Sequence, residues 1–259
     1  MEVNTIMIDH HSVGEEFNLY PKTEKEAMEQ CIIVNRILAN EGILDVLGHI
    51  SVRNPVKGDT FFQACRSFPG DVTRDDILEI DLEGNIVSEK KKSLYREVGS
   101  HAVIFAARPE VNAICHSHCD DWLPYVCTDT PMRPIIHEAC MFVEGIHTMK
   151  REQDWESCML QKEEYSNLLE ALGNRRAVFI KNHGAILVDD SPIHLVAACI
   201  FLRKNAIAFY KSSLIGEPVY IDAEAALRSA KEILLEGVAE RIWKYCLQRV
   251  RRNMPDLYW

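Results

Sequence analysis

The sequence of 259 residues has no excess of basic residues, because 29 Lys and Arg stand against 39 Asp and Glu, for a formal net charge of −10. Nucleic acids and anionic membranes attract proteins through positive charge, so neither is expected as a partner. No apolar run approaches the roughly 18 residues that a membrane helix needs. A signal peptide needs a basic start and an apolar stretch, whereas the first residues include Glu2, Asp9 and Glu15. We therefore expect a cytoplasmic protein.

The sequence also lacks internal repeats, low-complexity tracts and long linkers rich in Gly, Ser or Pro. It contains nine cysteines, but an odd number in a long chain without an export signal does not predict a disulfide framework. The hydrophobic content of 47% is ordinary, and the chain is long enough to bury one sizeable core. We predict an N-terminal arm over residues 1–22 and a single domain over residues 23–259.

Helix and strand patterns alternate along the chain, which predicts an α/β protein. Thr23 and Glu26 have the spacing of a capping box, and Ser191 before Pro192 is typical of a helix start. Four helices are predicted, over residues 24–42, 98–107, 192–214 and 223–251. Short apolar runs predict strands over residues 49–53, 60–63, 77–81, 111–116, 177–180 and 185–188. Hairpin-like joins between strands favour helices packed around a largely antiparallel sheet.

The sharpest local feature is the pair His116 and His118 at the end of a predicted strand. Residues two apart in a strand point to the same face, so the two imidazoles converge. Neutral imidazoles are suitable ligands for Zn²⁺, Mn²⁺ or Fe²⁺. Two histidines that bind only backbone or solvent are the alternative interpretation.

Two further residues are candidates for the same site. His183 lies in an Asn-His-Gly turn between two apolar runs, where Gly184 is predicted to supply a positive φ. Such a turn either holds its imidazole beside a neighbouring strand end or leaves it in solvent. Glu97 precedes the helix that leads into the His-x-His strand, and its carboxylate either stabilises the helix N-terminus or faces a metal.

Together these residues resemble the class II aldolase/adducin family over roughly residues 24–220. Five segments occur in the order and spacing of that family: GHISVR at 48–53, EVGSH at 97–101, ARPEV at 107–111, HSH at 116–118 and NHG at 182–184. The resemblance implies a three-layer αβα fold with a largely antiparallel central sheet. It also implies a divalent metal on His116, His118 and His183, with Glu97 as acid/base. The adducin branch lacks these histidines, so their presence favours an enzyme.

The sequence departs from the sugar-phosphate aldolases and epimerases of the family at their phosphate-binding segments. Those enzymes resemble Gly-Asn-x-Ser at the first loop and Ser-Ser-Glu at the catalytic glutamate, where small polar groups cradle a phosphate. Bulky, planar or cationic side chains stand in these places here, and they suit a carboxylated ring, because arginine pairs with carboxylates and Tyr or His stacks on rings. Four residues are therefore predicted to bind substrate: His49, Ser51, Arg66 and Arg96. Solvated surface positions are the alternative for the two arginines.

This variant pattern, with DVTRDD at 71–76 and MRPIIH at 132–137, resembles the decarboxylase branch of the family. Its type member acts on 3-hydroxy-2-methylpyridine-4,5-dicarboxylate. The resemblance implies a lyase that decarboxylates a hydroxylated aromatic or heteroaromatic acid, with Glu97 as proton donor and His137 and Tyr95 as alternates. It implies Mn²⁺ or Zn²⁺, with Fe²⁺ as a third candidate, and a homotetramer. The alternatives are an aldolase for a hydroxy-carbonyl substrate, an iron-dependent oxygenase and an adducin-like interaction protein.

Overall fold

The computed structural model describes residues 18–89, 92–149, 161–233 and 237–254. Most of the expected N-terminal arm, residues 1–17, lies outside the described residues. The strands are β1 (His49–Arg53), β2 (Thr60–Ala64), β3 (Ile77–Asp81), β4 (Ala113–Ser117), β5 (His147–Met149), β6 (Ala177–Ile180) and β7 (Gly184–Asp189). The helices are α1 (Glu24–Asn40), α2 (Val98–Ala107), α3 (Leu123–Val126), α4 (Tyr165–Leu172), α5 (Pro192–Ser213), α6 (Ala223–Ile233) and α7 (Val238–Asn253).

The seven strands form one open sheet in the order β3-β2-β1-β4-β7-β6-β5. Neighbouring strands are antiparallel, except that β5 and β6 are parallel. This pairing confirms the prediction of a largely antiparallel sheet. The short parallel strand β5 at one edge was not predicted from the sequence.

The two faces of the sheet belong to separate hydrophobic clusters. Ile50, Cys115 and Leu187 pack with helices α1, α5 and α7 on one face. Ile114 and Ile186 pack with α2 and α4 on the other face. Successive residues of a strand point to opposite faces, so the almost continuously apolar β4 and β7 serve both clusters. The result is the three-layer αβα arrangement expected from the sequence.

Two helix starts follow the capping residues that the sequence indicates. The Thr23 hydroxyl accepts the backbone N–H of Glu26, and the Glu26 carboxylate accepts the backbone N–H of Thr23. The Ser191 hydroxyl caps α5, in which Pro192 is the first residue. Both predictions are confirmed, since each depends only on residues within one helical turn.

The prediction of one helix over residues 223–251 is wrong. Helix α6 ends at Ile233, and a separate helix α7 begins at Val238. Gly237 at the N-terminus of α7 has a φ of 92°, a left-handed value that a right-handed helix does not contain.

Helix α5 differs from the expectation that no segment is apolar enough to span a membrane. An 18-residue window within it has a mean hydropathy of 1.3, which meets the requirement by length and composition alone. However, 61% of that window is buried inside the protein, where α5 packs against the sheet, α1 and α7. This burial is typical of a core helix.

Candidate active site

Three histidines meet where two neighbouring strands adjoin. His116 belongs to β4, His118 follows the last residue of that strand, and His183 directly precedes β7. Strands β4 and β7 pair with Ser117 opposite Ala185, so the end of β4 meets the start of β7. The rings of His118 and His183 stack with their centroids 5.1 Å apart, and the His116 ring stands edge-on to both.

Glu97 faces these histidines from the start of α2. Its Oε2 lies 3.1 Å from Nε2 of His116 and 3.4 Å from Nε2 of His183. One ligand atom from Glu97 and one from each histidine all lie within 4.8 Å of one another. In the part of the chain that the structure describes, the Glu97 side chain does not cap the helix. The geometry therefore favours a carboxylate that faces a metal over one that only stabilises the helix N-terminus.

The charges in this group favour an ionised Glu97. Burial opposes ionisation, but the rings of His116 and His183 beside the carboxylate outweigh it and hold the pKa of Glu97 well below its usual range. Burial also lowers the pKa of His116, so this imidazole is neutral near pH 7. A carboxylate thus lies among imidazoles that can act as neutral ligands.

The donor set and its hydrogen bonds fit a divalent metal. Nδ1–H of His116 donates to the carbonyl oxygen of Ala185 at 3.2 Å, and the buried Nε2 has no hydrogen-bond partner among the described residues. Nδ1 of His118 lies 3.3 Å from Oδ1 of Asp45. Such outer partners orient metal-ligating histidines. The lone pairs of His116 Nε2 and Glu97 Oε2 repel at their separation, and a cation bound by the histidines beside Glu97 would offset that repulsion.

The turn that carries His183 differs from the sequence prediction. The positive φ expected at Gly184 occurs instead at Asn182, with a φ of 54°. Asparagine tolerates this left-handed conformation better than most residues. Gly184 is the first residue of β7, and it lies where the backbone passes closest to Ser117 and His118. Its lack of a side chain is therefore needed for close approach and not for a left-handed turn.

A second group of ligand-type side chains, Asp189, Asp190 and His194, also meets within the described residues. Arg176 forms an ion pair with Asp189, and the hydroxyl of Tyr20 donates to Asp190. His194 lies 2.6 Å from Asp190. Because these contacts already satisfy the carboxylates, the group is a structural ion-pair network.

A cavity of about 510 Å³ opens above the histidine group. It is lined by residues from the loop before β1, the loop after β2, the start of α2 and the two strand ends. These residues are Val46, Leu47, His49, Arg66, Ser67, Phe68, Tyr95, Arg96, Glu97, His118 and His183. The structure thus brings most of the predicted site residues to one cavity, with His116 buried beside them.

His49 connects the metal-ligand group to the aromatic wall. It lies opposite His116 in the pairing of β1 with β4, and their ring centroids are 5.2 Å apart. On its other sides it contacts the rings of Tyr95 at 4.5 Å and His101 at 4.7 Å. Burial holds the pKa of His49 well below its usual value, so the ring is neutral. Gln63 Nε2 donates to Nδ1 at 3.0 Å, which leaves Nε2–H as the donor.

Tyr95 and the two arginines lie on adjacent segments. The Tyr95 hydroxyl donates to the carbonyl oxygen of Ser67 at 2.7 Å, and the Arg66 N–H donates to Ser93 O at 2.9 Å. These bonds hold the Arg66 loop beside the segment that carries Arg96. The Tyr95 hydroxyl proton is directed to a backbone carbonyl. The structure therefore favours Tyr95 as a residue of the cavity wall over its predicted role as an alternate proton donor.

Besides His116, two predicted site residues do not line the cavity. Ser51 follows His49 on the same face of β1, but it is one step deeper, fully buried and hydrogen-bonded to Nδ1 of His101. It can orient the rings behind the cavity but does not line it. His137 is exposed at the start of a 3₁₀ segment that packs against α6. Within one chain His137 is therefore not positioned to donate a proton in this cavity.

Sequence reasoning missed two residues that orient site histidines. Asp45 accepts the backbone N–H of Gly48 at 2.7 Å and also contacts His118. Its carboxylate has a pKa of about 2, chiefly because of the His118 hydrogen bond. Gln63 is the second, a buried amide that follows two phenylalanines in β2. Two signals in the sequence were available. Asp45 stands three residues before Gly48, and Gln63 is an amide within a predicted buried strand.

Comparisons with known proteins agree with this arrangement. The family described as class II aldolase and adducin N-terminal domain matches residues 29–209. The decarboxylase tropJ of Talaromyces stipitatus is 28% identical over 83% of this chain and 90% of its own length. The 3,4-dihydroxyphthalate decarboxylase of Arthrobacter keyseri is 27% identical over 63% of this chain and 69% of its own.

The fold has close counterparts among solved structures. The L-fuculose 1-phosphate aldolase of Glaciozyma antarctica superimposes with a TM-score of 0.77 at 24% identity, over 90% of this chain and 91% of its own. At that identity the likeness concerns the fold. Because the family match spans most of the chain, this protein belongs to the class II aldolase/adducin family.

Proposed function

We propose that this protein is a divalent-metal-dependent decarboxylase of a hydroxylated aromatic or heteroaromatic carboxylic acid. The observation that carries the proposal is the lining of the cavity, where Arg66, Arg96 and the adjacent, mutually tilted rings of His49 and Tyr95 accompany the histidine group. Small phosphate-cradling residues would be expected there in a sugar-phosphate aldolase. The similarity to two decarboxylases supports the same reaction class.

His116, His118 and His183 would hold the metal, with Ala185 orienting His116 and Asp45 orienting His118. A divalent ion bound there supplies a Lewis acid that favours an ionised substrate hydroxyl and stabilises negative charge as the carbon–carbon bond breaks. Mn²⁺ and Zn²⁺ both suit three imidazoles, and Fe²⁺ is the third candidate.

Arg66 and Arg96 would position the carboxylates of the substrate. Guanidinium groups pair with carboxylates in a bidentate geometry, and both arginines line the cavity. The rings of His49 and Tyr95 offer aromatic contact surface to a planar substrate, and His49 presents Nε2–H as a neutral hydrogen-bond donor. These residues together select a planar, anionic molecule.

Glu97 would move the proton that the reaction requires. It enters as a carboxylate, accepts the proton of the substrate hydroxyl, and returns that proton to the ring carbon after carbon dioxide leaves. The electron pair of the broken bond forms the new C–H bond, so atoms and charge balance. A bound substrate that excludes water from the cavity raises the pKa of a buried carboxylate. This favours the protonated form of Glu97 between the two proton transfers.

The test is carbon dioxide release from a panel of hydroxylated aromatic mono- and dicarboxylates, with protein loaded with Mn²⁺ or Zn²⁺. We expect release from at least one acid, abolished in His116→Ala. Retro-aldol cleavage of hydroxy-carbonyl compounds without carbon dioxide release from any acid would favour the aldolase instead. Retained activity in His116→Ala would contradict the metal site.

We also propose a single domain over residues 23–259 that assembles as a cytoplasmic homotetramer. Helix α7 packs on α1 and α5, which supports the single domain. Three apolar residues follow the end of α5 and are exposed: Leu214 by 69%, Ile215 by 90% and Val219 by 83%. A neighbouring copy would bury them. Light scattering that reports a monomer at micromolar concentration would contradict the tetramer.

A further inference from the structure

The exposed outer part of the cavity carries three apolar side chains, in contrast to its polar inner end. Val46, Leu47 and Phe68 line the cavity and are 60%, 59% and 64% exposed. The more buried inner end carries Glu97, His49, His118 and His183, whereas the lining residues Arg66 and Arg96 are exposed. We name the first three residues the apolar mouth. Exposed apolar side chains that continue a polar site are typical of a surface that binds an apolar group.

The apolar mouth is held in place by the same bonds that order the site. Asp45 Oδ1 accepts the backbone N–H of Leu47 at 3.1 Å, and the same oxygen contacts His118. On the opposite loop, the carbonyl oxygen of Phe68 accepts the N–H of Asp71 at 2.8 Å. The Leu47 loop is therefore fixed relative to His118, and the Phe68 loop is bound to the cavity wall through the hydrogen bond from Tyr95 to Ser67.

The size of the cavity exceeds the needs of a single ring. A cavity of about 150 Å³ holds benzene. The volume here is about 510 Å³, more than three times as large. A hydroxylated ring with its carboxylates at the inner end therefore leaves space for a further group of comparable size, and that space is bounded by the apolar mouth.

We infer that the substrate ring carries an apolar substituent, such as an alkyl or alkenyl chain or a second ring, that packs between Leu47 and Phe68. This inference rests on the proposed function. The carboxylate end of the ring binds toward Arg66 and Arg96, and the substituent extends outward over the apolar mouth. The enzyme thus discriminates between acids by a group that takes no part in the bond cleavage, through the water-exposed apolar surface that the group covers.

The probes are 2-hydroxybenzoate and four analogues with a pentyl chain at each remaining ring carbon, titrated calorimetrically into Mn²⁺-loaded protein. We expect at least one analogue to bind about tenfold or more tightly than the parent acid, a common effect of a few methylene groups in an apolar subsite. Leu47→Ala and Phe68→Ala should each reduce that preference. Val56→Ala is the matched control, because Val56 is 64% exposed but does not line the cavity.

Two outcomes overturn the inference and differ from failure of the proposed function. Equal binding of the parent acid and all analogues, with carbon dioxide still released, means that the apolar mouth does not bind substrate. A change in oligomeric state in Phe68→Ala, with equal losses for all acids, means that a second copy covers the mouth. If no hydroxylated aromatic acid binds or releases carbon dioxide, the proposed function itself is wrong.

Discussion

A β-carbon on Gly184 would lie 2.8 Å from Cδ2 of His118 and 2.7 Å from the carbonyl oxygen of Ser117. Both distances are shorter than real β-carbon contacts, and one of the two atoms belongs to the backbone. The absence of a side chain at Gly184 therefore allows β7 to approach β4 closely enough to place His183 against His118. The distance between two candidate metal ligands depends on this one glycine.

Gly184→Ala should separate the two histidines and weaken metal binding. The new methyl group forces either β7 or the His118 ring to move, which changes the geometry that three ligands must share. We expect a lower bound-metal fraction at limiting Mn²⁺ or Zn²⁺, measured by elemental analysis after desalting. Gly216→Ala is the control, since a β-carbon there meets nothing within 4 Å. Equal metal affinity in both variants would contradict the role of Gly184.

The sequence predicts local features better than it predicts which residues line the cavity. The caps at Thr23 and Ser191 are confirmed because donor and acceptor lie within one turn. The two-residue period of a strand puts His49 and Ser51 on one face of β1. That period does not say that the cavity ends at His49 and that Ser51 lies beneath it.

Residues that depend on distant segments are the ones that sequence reasoning misjudged or missed. Asp45 orients His118 across 73 positions of sequence, and no local pattern reports that contact. Gly184 was identified, but for the wrong reason, because its neighbour in space is Ser117 and not its own turn. His137 was included through family resemblance, and the fold places it on another surface of the same chain.

Asp76 should make stability depend on pH in the acidic range. Its carboxylate accepts hydrogen bonds from Thr73 and lies 3.0 Å from Lys92 Nζ. Burial acts in the opposite direction, but these interactions outweigh it and lower the pKa of Asp76 to about 2. The pKa of an aspartate in the unfolded chain is about 3.9. The stabilisation is therefore complete above about pH 4 and is lost as the pH falls to about 2.

Asp76→Asn should thus reduce the free energy of unfolding near pH 6, and the difference from wild type should narrow toward pH 2.5. Urea denaturation at both pH values measures it. Asp59→Asn is the control for the loss of one exposed carboxylate. A difference for Asp76→Asn that is the same at both pH values would contradict the assignment.

Arg66→Ala or Arg96→Ala should weaken binding of an aromatic dicarboxylate more than binding of its monocarboxylate. A charge-assisted hydrogen bond contributes about 1.5–3 kcal/mol, which corresponds to roughly ten- to a hundredfold in affinity. Calorimetric titration of the two ligands measures the ratio. Arg228→Ala is the control, because Arg228 is an exposed α6 residue that does not line the cavity. Equal losses for both ligands would mean that neither arginine binds the second carboxylate.

Glu97→Gln tests most directly whether this histidine group is a catalytic site. Glutamine keeps the size of the side chain but cannot transfer a proton, so turnover should fall by about 10²–10⁴-fold while bound metal and substrate affinity are retained. The measurement is the rate of carbon dioxide release, with metal content and melting temperature determined on the same sample. A glutamate that acts only on the helix dipole would cost about 0.3–1 kcal/mol of stability and leave turnover intact. Near-normal turnover in Glu97→Gln would therefore contradict the account.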